Sequence, residues 1–137
     1  MHQNKVALVT GANKGIGYAI ASALAARGLT VLVGARDARR GQGAAQRIAG
    51  DARACELDVT RADSIAAAVG RIERELGRLD VLVNNAGIAT FGTASTTRLD
   101  DVRAVFETNV FGVIAVTQAL LPLLRAAPEG RMVNVSI

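Results

Sequence analysis

Short, mainly apolar runs alternate along this chain with longer stretches in which apolar residues recur at helical spacing. The runs cover residues 6–9, 30–33, 54–57, 81–83 and 132–135, are rich in valine, and are bounded by Gly, Asp or Asn. Continuous runs of this length fit strands buried on both faces. Between them, Ile65, Val69, Ile72 and Leu76 follow one another at spacings of four, three and four, which lays one apolar stripe against a sheet. Thr60 and Asp63, three residues apart just upstream, predict a capping-box start with Asp in place of the usual Glu. A longer stripe through Leu99, Val102, Phe106, Val113, Ile114, Leu120 and Leu124 predicts one long helix, bent or ended at Pro122. Strand and helix alternate from the start, so the expected fold class is α/β, a parallel sheet covered by helices on both faces and joined by right-handed crossovers. No internal repeat, low-complexity tract or linker interrupts the pattern.

Length and composition narrow the picture. A chain of 137 residues, half of them apolar, supplies one domain over 1–137 and no second. The opening MHQNKVALVTG passes from polar residues straight into a strand-like run without a signal-peptide pattern, and no unbroken apolar run reaches about 18 residues. The expectation is a soluble, cytoplasmic protein. Cys55 is the single cysteine, which excludes an internal disulfide and a multi-cysteine metal site, and the single histidine, His2, lies at an end expected to fray. No metal is expected. The net charge of +4 comes mostly from scattered arginines, with Arg39 and Arg40 the only adjacent pair, and aromatics are few. Neither nucleic acid nor a membrane surface is an expected partner.

The strongest local chemistry is the turn Thr10-Gly11-Ala12-Asn13-Lys14-Gly15-Ile16-Gly17. It follows the first strand and opens a helix with Ile16, Ile20, Ala23 and Leu24 among its apolar positions, the context that a phosphate-binding glycine motif requires. Gly11 would permit the tight turn, Gly15 the approach of backbone to a pyrophosphate, and Gly17 close helix packing, with the helix N-terminus offering free N–H groups. A purely structural strand-to-helix turn is the competing reading of the same glycines.

With three residues between its first two glycines, this turn resembles the TGxxxGxG pattern of the short-chain dehydrogenase/reductase family. The resemblance continues in order: Asp58-Val59 after the third strand, Gly77-Arg78-Leu79-Asp80 leading into Asn84-Asn85-Ala86-Gly87, Asn109 in the long helix, and Gly130 to Ser136 around the fifth strand. It implies a Rossmann-like doubly wound parallel sheet, truncated after the fifth strand, that binds a nicotinamide dinucleotide. Gly11, Asn13, Lys14, Gly15, Ile16 and Gly17 would then hold the pyrophosphate side, Asp58 and Val59 the adenine, and Asn85, Ala86 and Gly87 the crevice, while Asn109 would support proton relay. Each has a bland alternative: Asp58 as a turn former, Asn84 and Asn85 as loop residues bonded to backbone, Asn109 as a helix residue bonded across the sheet.

Charge bears on the choice of cofactor. An acid at the end of the second strand would bond the ribose 2′-hydroxyl of NAD and repel a 2′-phosphate; Ala35 stands there instead, followed by Arg36. Arg36 and Lys14 favour NADP(H) over NAD(H), unless both are merely solvated. GANKGIG with GARDARRGQGAAQRI looks particularly like the carbonyl-reductase branch, which prefers NADPH.

Family members move hydride between the nicotinamide and a carbonyl or alcohol carbon while a tyrosine exchanges the proton, its pKa lowered from near 10 by a lysine four residues on. The only tyrosine here is Tyr18 and the only lysines are Lys5 and Lys14, so no YxxxK pair exists. Of the two serines expected after the fifth strand, Ser136 fills the first place and Ile137 stands in the second, catalytic one. Of the family's four catalytic positions only Asn109 is present. The expected identity is an inactive, truncated NADPH-dependent carbonyl-type reductase that would need further residues to act on a small carbonyl or alcohol. Two alternatives stay open: a non-catalytic NADP(H)-binding module that pairs with a partner, and a small enzyme using Asp80 or Glu107 as its acid. An uncovered fifth strand and long-helix face would invite self-association.

Overall fold

The computed structural model describes residues 4–90 and 92–136. Strands β1 (Val6–Val9), β2 (Thr30–Ala35), β3 (Ala52–Glu56), β4 (Val81–Asn84) and β5 (Arg131–Asn134) form one sheet. The order is β3-β2-β1-β4-β5 and every pairing is parallel. Helices α1 (Gly15–Ala26), α2 (Ala38–Arg47) and α3 (Ala62–Glu75) connect the first four strands. The last crossover runs through α4 (Leu99–Phe106), a π-helical stretch from Glu107 to Gly112, and α5 (Val113–Ala126).

Strands β1, β2 and β4 are buried on both faces because their alternate residues feed two separate cores. Leu8, Leu32 and Leu82 point to one side, where Ile65, Ala68 and Ile72 of α3 and Val116, Leu120 and Leu124 of α5 cover them. Ala7, Val9, Val31, Val33 and Val83 point to the other, against Ala21 and Ala25 of α1 and Ala44, Ala45 and Ile48 in and after α2. This is the doubly wound arrangement that the valine-rich runs predict. At the outer edge, Arg71 donates to the Ala54 carbonyl of β3 at 2.7 Å, so a group that would otherwise offer itself to another strand is already bonded.

Several local expectations are corrected. Thr60 does not cap α3: its hydroxyl and its N–H both turn back to the Asp58 carboxylate, at 2.6 and 2.9 Å. Asp63 Oδ1 accepts from the adjacent Ser64 N–H at 2.9 Å and from Arg61, and α3 starts one residue after Thr60's neighbour Arg61 without a side-chain cap. Pro122 does not end the long helix, which runs four residues further to Ala126. The irregularity falls at Glu107–Gly112 instead, where a Cβ on Gly112 would lie 2.8 Å from Val59 Cγ2. Close approach of that turn to Val59, in the segment after β3, requires the glycine.

By length and composition the run Leu99–Ala126 could cross a membrane, because averaged hydropathy tolerates the polar residues that break an unbroken apolar run. In this fold its buried residues Val116, Leu120 and Leu124 serve the core. Every residue of β5 is exposed, Met132 at 47% and Val133 at 48%, and Phe106 and Phe111 are also exposed.

Candidate functional site

The sheet order reverses between β1 and β4, which opens a crevice at the C-terminal ends of these two strands. Thr10 ties the two sides together. Its hydroxyl accepts from the N–H groups of Asn85 and Ala86, both at 2.9 Å, and its own N–H donates to the Val83 carbonyl at 3.0 Å. The Asn85 amide nitrogen reaches back to the carbonyls of Thr10 and Gly11, at 3.2 and 3.1 Å. The glycine turn and the Asn84–Gly87 segment are therefore a single hydrogen-bonded unit. Thr10 was not among the candidate positions read from the sequence; a hydroxyl at the exit of a buried strand is the signal that could have found it.

Gly11 has φ +58°, and a Cβ there would lie 2.8 Å from the Ala86 Cα, so no larger residue fits this turn. Gly17 is needed for a different contact from the expected one: its Cβ would run into the Asn85 amide and the Gly11 carbonyl. Gly15, at φ +61°, faces open space. The first helical bond of α1 joins the Tyr18 N–H to the Lys14 carbonyl at 3.3 Å. The N–H groups of Gly15, Ile16 and Gly17 thus belong to the unpaired first turn, at the positive end of the helix. Open space beside Gly15, unpaired N–H groups and a rigid turn fit a pyrophosphate, while Ile16, 60% exposed, offers an apolar cover.

Cations gather next to this turn. A cavity of about 420 Å³ is lined by Asn13 and Lys14 of the turn and by Arg39, Arg40, Gly43 and Arg47 of α2. Its lining contains no acid. Lys14 is where the sequence reading expects it, but Arg36 is not among the lining residues. It lies near enough to Asp58 for its charge to act on that carboxyl. Arg39, Arg40 and Arg47 lie beyond the strand end to which the sequence argument on cofactor choice points, and α2 carries them on to the cavity.

Asp58 realises the turn-forming alternative directly, through its two bonds from Thr60 and through its N–H, which donates to Ser64 Oγ at 2.8 Å. Partial burial opposes ionisation of its carboxyl, but the Thr60 bonds and then the Arg36 and Arg61 charges outweigh it and hold the pKa below the usual range. Val59 is buried against Gly112, so its side chain belongs to the core.

Asn109 lies in the π-helical stretch. Its carboxamide is bonded to the loop after β4, accepting from the Ile88 N–H at 2.9 Å and donating to the Ile88 carbonyl at 2.8 Å. A Cβ on Gly87 would lie 3.4 Å from the same Asn109 oxygen, so Asn85, Ala86, Gly87 and Asn109 are brought together along one wall. Asp80 is placed elsewhere, at the N-terminal end of β4. There it accepts from the Val6 N–H at 2.8 Å and takes the Arg78 guanidinium in two bonds, at 2.8 and 2.6 Å. That position removes it as an alternative acid at the crevice. Tyr18 packs on the core beneath α1. Ser136 is exposed past the end of β5, and the readings made on His2 and Ile137 lie outside the described residues.

A parallel sheet with a glycine turn at its switch point, a helix N-terminus facing it and a cationic cavity alongside defines a nucleotide-binding α/β protein. The family model described as short chain dehydrogenase matches residues 5–137. The chain belongs to the short-chain dehydrogenase family. It is 46% identical to carbonyl reductase (NADPH) 1 of Bos taurus over 138 residues, 97% of this chain and 49% of the relative. Among solved structures, a metagenomic short-chain oxidoreductase in complex with NADP superposes with TM-score 0.89 at 35% identity, over 98% of this chain and 62% of its own. The 3-ketoacyl-(acyl-carrier-protein) reductase of Brucella melitensis complexed with NADH superposes with TM-score 0.92 at 30% identity, over 99% and 58% respectively. The chain spans about half the length of the curated relatives it matches.

Proposed function

We propose that this chain binds NADP(H) in preference to NAD(H), and that it corresponds to the nucleotide-binding half of a cytoplasmic oxidoreductase interconverting a carbonyl and an alcohol. The observation that carries the cofactor choice is the acid-free cavity beside the glycine turn, with Lys14, Arg39, Arg40 and Arg47 in its lining. A 2′-phosphate adds about two negative charges there, and several guanidinium forks are suited to it. Buried Ala35 puts no carboxylate at the end of β2 to bond a free 2′-hydroxyl, and Asp37, two residues on, caps α2 by accepting from the Arg40 N–H at 3.0 Å. The named NADPH relative and the NADP complex support this reading; the NADH complex shows that the fold alone does not choose.

When bound, the nicotinamide supplies hydride chemistry. The residues of this chain supply placement: the α1 N-terminus and the glycine turn for the pyrophosphate, Asp58 with the adjoining backbone for the adenine side, Asn85 to Gly87 for the crevice wall, and Asn109 to hold that wall through Ile88. No Tyr-x-x-x-Lys pair occurs in the 137 residues, so none of them is assigned the proton transfer and the chain by itself is read as inactive. A second reading is a non-catalytic NADP(H)-binding module that pairs with a partner; the exposed residues of β5 and, separately, exposed Phe106 and Phe111 support it.

Equilibrium titration with NADPH and NADH, run beside an assay for NADPH oxidation with a small carbonyl compound, tests these readings. NADPH should bind about tenfold tighter or better, with no turnover. Equal affinity for the two nucleotides would overturn the cofactor reading, and turnover would overturn the assignment of the chain as inactive.

A further inference from the structure

Arg47 is the last residue of α2, exposed to solvent, where an arginine ordinarily samples many rotamers. Here it is held. Its guanidinium carbon lies 5.5 Å from the centre of the Tyr18 ring, within the range of about 6 Å over which a cation is attracted to an aromatic face. Tyr18 is a firm platform, half-buried on α1 and packed against the core formed with Ala21, Ala25 and the valines of β1 and β2. Gly43, one turn before Arg47, lies beside this side chain: a Cβ there would be in ordinary contact with Arg47 Nη1, at 3.6 Å. Arg47 so placed lines the cavity with Lys14, Arg39 and Arg40, and among the described residues it makes no ion pair. A guanidinium held over a ring by its charge, with no carboxylate partner, keeps N–H groups to donate to an anion.

We infer that Arg47, held over the Tyr18 ring, is a specificity-determining residue that reads the 2′-phosphate of the bound dinucleotide, with Tyr18 as its positioning residue. The inference rests on the NADP(H) reading and adds to it a residue pair outside the glycine turn and outside Arg36. NADPH and NADH differ only in that phosphate, so Arg47 should act on one and not on the other.

The test is the dissociation constant of the 137-residue chain for NADPH and for NADH, measured by titration calorimetry in the wild type and in Arg47→Gln, Tyr18→Leu and Tyr18→Phe. Arg47→Gln should weaken NADPH about five- to tenfold, as loss of one charge-assisted contact predicts, and leave NADH within about twofold. Tyr18→Leu should reproduce part of that loss, and Tyr18→Phe, which keeps the ring face, should retain wild-type discrimination. If Tyr18→Leu does not fold, Arg47→Lys takes its place, with an intermediate loss expected because charge is kept and the planar stack is not. A wild type that prefers NADPH while Arg47→Gln keeps the same preference overturns this inference and leaves the cofactor reading standing. Equal weakening of both nucleotides also overturns it. A wild type that does not discriminate removes the cofactor reading and this inference with it.

Discussion

Asn109 and Ile88 are joined by two reciprocal hydrogen bonds, the Asn109 carboxamide accepting from the Ile88 N–H at 2.9 Å and donating to the Ile88 carbonyl at 2.8 Å. The π-helical widening at Glu107–Gly112 and the loop after β4 are thereby clasped, which fixes the wall on which Gly87 lies. Asn109→Ala should cost about 1 kcal/mol, since the groups it frees are exposed and water can replace the bonds. The sharper readout is hydrogen exchange: the Ile88 amide should lose protection in the variant while the amides of β1 and β4 keep theirs. Unchanged exchange at Ile88 would show that the clasp does not persist in solution.

Thr10 makes the other join across the crevice. Thr10→Val keeps the shape and removes the hydroxyl, leaving the Asn85 and Ala86 N–H groups without their acceptor. A loss of about 2–3 kcal/mol in urea unfolding is expected, largely restored by Thr10→Ser. A Thr10→Val chain as stable as the wild type would mean that those N–H groups find another partner.

Strand positions, the two-faced burial and the glycine turn were legible in the sequence because each follows from local periodicity and backbone geometry. The valine runs located all five strands to within two residues, and Ala35 proved to be the last residue of β2 as read. What escaped depends on contacts distant in sequence. The need for Gly112 shows only once Val59 is known to lie against it, and Thr60 looks like a cap until the Asp58 carboxylate is seen to claim it. Arg39, Arg40 and Arg47 look like a solvated helix face until α2 is placed beside Lys14.

Asp80 gives the fold a defined response to acid. Burial opposes its ionisation, but the Arg78 fork, the Val6 N–H and the Arg78 and Lys5 charges outweigh that and hold its pKa below the reference value of 3.8. A carboxyl with a depressed folded pKa stabilises the native state fully above its unfolded pKa. The contribution is then lost as pH falls through the folded value. Asp80→Asn should therefore cost about 2 kcal/mol at pH 7, and the gap to wild type should close below about pH 4. A gap that stays constant across the acid limb would contradict the ionised pair.

Cys55 lies 1% exposed on β3, and burial pushes its thiol pKa up against the opposing charge of Arg71. The native chain should leave it unmodified by a thiol reagent at pH 8 over minutes, while urea should release about one equivalent. Rapid native labelling would show that the β3 edge opens despite the bond from Arg71.

Selection of NADP(H) by the folded chain is expected to run through the cationic cavity beside the glycine turn. A thermal melt of the purified chain alone, with NADPH and with NADH tests it most directly. A single cooperative transition should rise by about 5–10 °C at a hundredfold excess of NADPH over its Kd, and markedly less with NADH at the same concentration. A transition raised equally by both nucleotides, or by neither, would contradict that selection.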